Sequence, residues 1–464
     1  MHFITKFWII GLILFLSNGL KATDITILTT TDIHGHMTDD RSGMIKLASV
    51  IIKERNKAGA DRTLLLDCGD TIEGSFAAYS TDGEIVIKAM NFLNYDVWVL
   101  GNHEFDLNLK ELSGRINQFK GITLAANLNC KALTEKSKVL PWAIFKLKKL
   151  KIAVIGMSMP GICWQVWRRP GIIKTVDMSE ALHQIMPAVR KQKPDIIILA
   201  QHLGMYSKNY NVYSLLAEFP EIDLVIGGHT HVEKSGEKVG PKSWYVQAGK
   251  HAECMARIDI SYNEKVRKIS RITSEIIQVD DNTPNCIELS NILKYDLTGM
   301  KRKEERILTS INQRKAVSIK KTKTIIAAMQ QEAAELGKNV DVILYSKRKK
   351  EGIAKKRIDI YRKTVFDWHR FHDKVCIVEF SDVVILKRII CEFKRGVASK
   401  KITPIVIMKN TSALMSSYIL AGANGRLSQM HRYGVKYPER IKCGASIQEA
   451  VVTYLKNKAK SKKQ

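Results

Sequence analysis

What this 464-residue chain lacks narrows its class first. It has eight cysteines but no C-x-x-C pair, which leaves neither a zinc ribbon nor a thioredoxin-type motif. The cysteines are scattered, and their even number permits disulfides without indicating any. No internal repeat or low-complexity tract is present, so solenoid and fibrous architectures are excluded. Apart from one apolar run near the N-terminus, no stretch is long and apolar enough to cross a membrane. Acidic residues thin out toward the C-terminus: from Lys301 onward about 38 basic residues face about 14 acidic ones, so roughly 24 of the 28 net positive charges fall in the last third. The basic residues there are dispersed among apolar ones, which reads as a solvated lysine-rich surface. A nucleic-acid or anionic-membrane surface is the less favoured alternative.

With 45% hydrophobic residues, the chain can build large cores, and its length suits two or three domains. Residues 1–22 read as a signal peptide, with Lys6 as the positive n-region and Phe7 to Leu16 as the apolar h-region. The expected location is therefore periplasmic or extracellular, with an uncleaved N-terminal anchor as the alternative. Residues 23–278 alternate strand and helix: strands at Ile25–Thr30, Thr63–Leu66, Asp96–Leu100, Lys151–Ile155, Asp195–Ala200 and Asp223–Ile226, with helices around 42–57, 84–93, 109–119, 179–191 and 210–218. Strands then dominate, at 244–247, 255–262 and 268–277, an α/β domain that closes with β structure. Residues 279–291 lack periodicity and read as a linker. The charged stretch 293–314 is predicted as an inter-domain helix, and residues 315–464 as a second α/β unit.

Five of the first domain's strands run into polar, glycine-containing turns. TTDIHGH presents Asp32, His34 and His36; DCGD presents Asp67 and Asp70. GNHEFD presents Asn102, His103, Glu104 and Asp106, QHLG presents His202, and GGHTH presents His229 and His231. In α/β sheets, ligands bind outside the carboxyl ends of the strands. One such histidine is ordinarily structural; five such turns in series point to a shared site. Asp32, His34, Asp70, Asn102, His202, His229 and His231 offer three oxygen-bearing side chains and four imidazoles, too many for one tetrahedral zinc. The mixture suits two divalent ions, with zinc, manganese and iron all acceptable. Asp70, with two oxygens, is the natural bridge between them. His103 is left over, three residues before Asp106, which is close enough to orient it.

The ordered set DIH, GD, GNHE, a lone His after a strand, and GHTH resembles the calcineurin-like metallophosphoesterase superfamily. GNHEFD, VQAG at Val246–Gly249, the N-terminal segment and the length resemble, more narrowly, exported 5′-nucleotidases and 2′,3′-cyclic-nucleotide phosphodiesterases. The resemblance covers residues 24–275. It implies a four-layer α/β/β/α metallophosphoesterase sandwich with a second, smaller α/β substrate domain. By resemblance, one metal takes Asp32, His34, Asp70 and His231, the other takes Asp70, Asn102, His202 and His229, and His103 with Asp106 is the catalytic dyad.

The C-terminal part resembles the family's substrate domain more weakly. HRFHDKVCIVEF (369–380) is similar to the segment carrying the first base-stacking residue, here Phe371. YILAGANG (418–425) is similar to the second, with Tyr418 in place of the usual Phe and Asn424 in place of a ribose-binding Asp. The family's Asn-Gly-Gly-x-x-Arg-like substrate loop is replaced by SKRKKEG (346–352), and its upstream Arg-containing turn by IKKTKT (319–324).

The expected function is a two-metal hydrolase that releases phosphate from nucleotides by in-line attack of a metal-activated hydroxide. A diesterase acting on 2′,3′-cyclic nucleotides or nucleic-acid ends is the alternative, and a non-catalytic nucleotide- or polyanion-binding protein the third reading. The expected partner is a nucleotide or other phosphoester, with no stable protein partner.

Overall fold

Long apolar strands buried on both faces build two sheets, the pattern expected where helices or another sheet cover each side. The computed structural model describes residues 22–304 except 39–40, 136, 160–172 and 208–209, and beyond them 307–311, 321–335, 342–344, 358–361, 374–379, 405–406, 412–416 and 441–460. Across the first sheet the strands run Lys268–Gln278, Cys254–Asn263, Ala22–Thr30, Thr63–Asp67, Val97–Val99, Ile122–Leu124 and Val139–Leu140. The last five are mutually parallel, Cys254–Asn263 joins them antiparallel, and Lys268–Gln278 pairs antiparallel with that strand. The second sheet runs Glu233–Val239, Ser243–Ala248, Leu224–Gly227, Ile196–Gln201, Leu150–Met157 and Trp142–Leu147, with four parallel strands between two antiparallel edges.

Successive residues of a strand face opposite sides, and here the alternation sorts them into separate cores. Ile27, Leu64, Leu66, Val97 and Val99 of the first sheet meet Ile152, Val154, Ile198 and Ile226 of the second. Their neighbours Leu28, Leu65 and Trp98 turn outward, against Leu47 and Ile51 of helix Met44–Ala58, Met90 of Glu84–Phe92 and Leu112 of Leu109–Gln118. Ile155, Ile197, Leu199 and Val225 of the second sheet turn the other way, onto Leu182 and Met186 of Met178–Lys191 and Leu216 of Val212–Glu218. The result is the expected α/β/β/α sandwich. Asn108 with Glu111 forms a capping box that starts Leu109–Gln118, and Asp177 caps Met178–Lys191.

Several expectations need correction. The segment taken as a linker to residue 291 already contains a helix, Ile287–Ile292, because Leu289 buries itself in the outer core and Cys286 N donates to Ile45 O at 3.0 Å. The charged helix expected over 293–314 spans Lys294–Glu304, and the β-branched run Ile307–Ile311 is a strand. Lys88 Nζ lies 3.0 Å from Asp296 and ties that helix back to the first domain. Edge strand Glu233–Val239 went unpredicted because EKSGEKV has no apolar alternation; pairing with Ser243–Ala248 forms it. Beyond residue 320, five short strands form one mixed sheet, and helices Lys321–Glu335 and Ile447–Lys460 bury Ile325, Met329, Val451 and Leu455. Residues 1–21, Phe371, Tyr418, Asn424 and the 346–352 loop lie outside the described residues. No helix among the described residues is long and apolar enough to cross a membrane.

Ile198 sits fully buried between the sheets. Its truncation to Ala is expected to cost about 3 kcal/mol, from lost burial plus the cavity left behind. Denaturant unfolding monitored by circular dichroism measures this, and a loss under about 1 kcal/mol would show that the two sheets are not close-packed there.

Candidate metal centre

The carboxyl ends of five strands, three from the first sheet and two from the second, open onto one place. Two of the turns run side by side: Asp32 N donates to Gly69 O (2.9 Å), His34 N to Asp70 O (2.8 Å) and Gly35 N to Thr71 O (2.8 Å). A third turn is clamped to them by Glu104, a fully buried carboxylate that accepts from Gly101 N (2.6 Å), Asp70 N (2.9 Å) and Thr71 N (2.6 Å). Burial and the nearby Asp70 push the Glu104 pKa up to about 7, opposed by those backbone donors. Gly101 permits the approach, since a Cβ there would fall 2.3 Å from Asp70 Oδ1. Asp67 acts similarly one layer below, accepting from Thr30 Oγ1, Gly69 N and Thr71 Oγ1. The sequence places Glu104 and Asp67 at strand mouths but gives no sign of these structural roles, which depend on which backbone amides face them.

Donor atoms converge in two groups, Asp32–His34–His231 and Asp70–His202–His229. In the first, Asp32 Oδ1 lies 3.3 Å from His231 Nε2 and 4.0 Å from His34 Nε2, and the two imidazole Nε2 atoms are 3.2 Å apart. In the second, Asp70 Oδ2 lies 3.0 Å from His202 Nε2. That oxygen is also 3.9 Å from His34 Nε2, and Asp32 Oδ1 is 3.9 Å from His202 Nε2, so the groups are adjacent and Asp70 stands between them. Donors about 2.0–2.2 Å from a shared ion would be spaced about 3–3.5 Å apart, close to what these atoms show.

The tautomers suit this purpose. His34 Nδ1 points at Glu73 O (3.2 Å) and His202 Nδ1 at Cys68 O (2.6 Å). A carbonyl only accepts, so each Nδ1 carries the proton and each Nε2 turns a lone pair into the site, the usual second-layer arrangement for a ligating histidine. Asp32 Oδ1, Asn102 Oδ1 and His202 Nε2 are buried and make no hydrogen bond among the described residues. Buried polar atoms are normally paired, and two of these orphans, Asp32 Oδ1 and His202 Nε2, lie 3.9 Å apart at the donor groups, which fits a bound cation.

Charge tells the same story. Burial would raise the Asp70 pKa, yet His202 and His103 hold its carboxyl well below the usual range. Burial would lower His202, but Asp70 and Asp32 raise it to about 10. Two buried carboxylates thus demand positive charge, and a proton on His202 competes with a divalent ion for the same lone pair. Burial depresses His34 and His229 to about 4, which keeps both neutral and able to ligate. His103 faces the same centre: its backbone N donates to Asp70 Oδ1 (2.7 Å) and its Nδ1 lies 2.7 Å from Asp106 Oδ2. Burial would lower His103, but Asp106 and Asp70 raise it to about 10, so it is a cation beside the ligand set.

The backbone is strained where the donors are. Asp32, His34, Asp70, His229 and His231 all lie at positive φ between 50° and 68°. Such conformations cost about 1–3 kcal/mol each and cluster at functional sites. Six of the seven expected metal-type residues lie in the two donor groups, His103 contacts Asp70 and pairs with Asp106, and Asn102 stands in the same turn as His103 with a buried, unpaired Oδ1. His251, which the sequence does not single out, adjoins the centre; its only signal is its place two residues beyond VQAG.

Residues 25–233 match the calcineurin-like phosphoesterase family. Divalent metals are characteristic of that family, in keeping with the two donor groups. Over 248 residues, or 47% of the chain, the sequence is 32% identical to a 2′,3′-cyclic-nucleotide 2′-phosphodiesterase/3′-nucleotidase of Haemophilus influenzae. It is 31% identical over 227 residues, or 45% of the chain, to a 5′-nucleotidase of Vibrio cholerae. The matches span 37% and 40% of those proteins' own lengths. Among solved structures, a putative 5′-nucleotidase from Staphylococcus aureus superposes with a TM-score of 0.72 at 17% identity, covering 94% of this chain and 97% of that one, a likeness of fold.

Replacing Glu104 by Gln puts an amide N–H₂ against backbone donors and removes the charge they share. The expected loss is about 2–4 kcal/mol, since buried donors are left unsatisfied. Thermal unfolding of the ion-free protein tests it, and an unchanged midpoint would remove Glu104 from the loop clamp.

Proposed function

We propose that the protein is a metal-dependent phosphoester hydrolase that releases phosphate from nucleotides. The observation that carries this reading is the pair of adjacent donor groups sharing Asp70, with His103 pinned beside them. Asp32, His34, Asp70 and His231 would hold one divalent ion, and Asp70, Asn102, His202 and His229 the other. Bound there, two such ions supply Lewis-acid polarisation of a phosphoryl group and acidify a water.

The chain's own groups do the rest. Asp70 and Asp32 concentrate negative charge where cations are needed, and the orphaned Asn102 oxygen completes the second set. His103, kept protonated by Asp106, places a cation where negative charge develops on the phosphoryl oxygens and holds a proton for the leaving oxygen. Asp106 fixes its ring through Nδ1, which leaves Nε2 as the working atom.

The substrate class rests on the relatives, which are named for nucleotides. The 32% identity to a cyclic-nucleotide diesterase favours a second substrate reading, the 2′,3′-cyclic diesters, at the same centre. Residues 23–278 would form the catalytic domain, 279–314 the arm, and 315–464 the substrate domain, in which Phe371 and Tyr418 would stack on a base and Asn424 would meet the ribose. We also assign residues 1–22 as an export signal, which places the reaction outside the cytoplasm. N-terminal sequencing of the mature secreted protein checks that assignment, and an intact Met1 in soluble cytoplasmic protein would refute it.

Phosphate release from 5′-AMP, 2′,3′-cyclic AMP and a bis-aryl phosphate, with manganese or zinc, tests the whole reading. Asp70→Ala is expected to lose both ion uptake and turnover; unchanged phosphate release would sink the two-ion hydrolase. His103→Ala is expected to retain its ions while kcat falls about 10²–10⁴-fold, the usual span for a lost general acid. A kcat within threefold of wild type would remove His103 from the chemistry.

A further inference from the structure

His251 belongs to neither donor group, yet it is built closely against one of them. Its backbone N donates to Asp32 O at 2.8 Å. Its ring lies edge-on to His34 (centroids 5.7 Å apart, 71°) and to His231 (5.7 Å, 69°). On another side it stacks with His36, at 4.1 Å and 20°. This arrangement is anchored to the protein frame. His36 O accepts from Met44 N (2.9 Å) and Ala252 O from Gly43 N (3.4 Å), both at the start of helix Met44–Ala58. His251 and Ala252 are both held at φ 54°, two successive non-glycine residues in the left-handed region. A strained turn that persists is one its surroundings over-determine.

In each donor group one histidine is locked by a backbone carbonyl, His34 by Glu73 O and His202 by Cys68 O, and the groups differ in exposure, the His231 group being the more open. In the Asp70–His202–His229 group, His202 is fully buried and its tautomer is locked by Cys68 O. In the other, the His231 side chain is 34% exposed, and among the described residues its close polar neighbours are the donors His34 and Asp32 themselves. Among the described residues no backbone carbonyl bonds the His231 ring; the rings of His34 (centroids 5.1 Å apart, 62°) and His251 lie edge-on to it and limit its rotation, and of the two only His251 is not itself a donor.

We propose that His251, backed by His36, is the positioning residue for the ion held by Asp32, His34 and His231, so that the two ions are inequivalent and this outer one is the readily exchanged one. The inference rests on the two-ion reading above and adds which residue sets the affinity of one site.

The experiment is an equilibrium titration of chelator-treated, full-length protein with manganese, with bound ion counted by elemental analysis after dialysis. Wild type is compared with His251→Asn and His251→Phe. Asn tolerates the left-handed backbone and removes the ring; Phe keeps a ring but has no lone pair. We expect two ions in wild type, and in His251→Asn one ion bound as before while the other weakens about 10–100-fold, as for other residues that orient ligands. His251→Phe should stay within a few-fold of wild type. Two ions of unchanged affinity in His251→Asn overturn the inference alone. Equal weakening in His251→Phe also overturns it, since His251 would then act through its nitrogen. A wild type that takes up no ion overturns the two-ion reading and the inference with it. Should His251→Asn melt far below wild type without ions, His36→Ala decides: the same selective weakening supports the proposal, and its absence defeats it.

Discussion

Two carboxylates, Asp32 and Asp70, sit essentially without solvent where the two sheets meet. Ionised groups in such a place are costly unless matched by positive charge, and the rest of the site follows from that demand. Imidazoles crowd around them at 3–4 Å, and His103 and His202 are driven toward their protonated forms. The donor-bearing turns hold left-handed backbone at Asp32, His34, Asp70, His229 and His231.

The same chemistry serves different ends within a few ångströms. Glu104 and Asp67 are as buried as Asp70, but they face backbone amides and threonine hydroxyls, so they hold loops together. Asp70 faces imidazoles and gains its role from them. Residue type alone does not separate the two roles; what each oxygen faces does. His251 makes the point for histidine: its own turn offers it Glu253, 3.9 Å from its Nδ1, but the rings it packs against, His34, His36 and His231, come from distant segments.

The centre is complete within the first 278 residues, and the phosphoester chemistry can be argued there without the C-terminal half. Substrate choice depends on the C-terminal half. Its expected contacts, Phe371, Tyr418 and Asn424, lie outside the described residues, and the basic loop 346–352 departs from the pattern of the family it resembles. The substrate class therefore stands on the named relatives and on the measurements proposed, while the metal centre stands on its own geometry.

Much was legible in the chain itself. Apolar strands ending in Asp-x-His, Gly-Asp, Gly-Asn-His-Glu and Gly-His-x-His turns identify an α/β domain and its candidate donors, because strand periodicity and strand-end chemistry are local properties of sequence, while the four-layer sandwich was implied by the family resemblance. Helix Ile287–Ile292, edge strand Glu233–Val239 and strand Ile307–Ile311 were not read, because pairing partners and a buried face supply what their own sequences do not. The division of the donors was implied only by the family resemblance; the tertiary structure supplies its distances, bringing Asp32 and His34 to a histidine nearly 200 residues away and Asp70 to His202 and His229. It also decided that Glu104 clamps rather than ligates and that His251 stands beside the centre. Those outcomes depend on distances across two sheets, and the spacing of residues along a chain does not contain them.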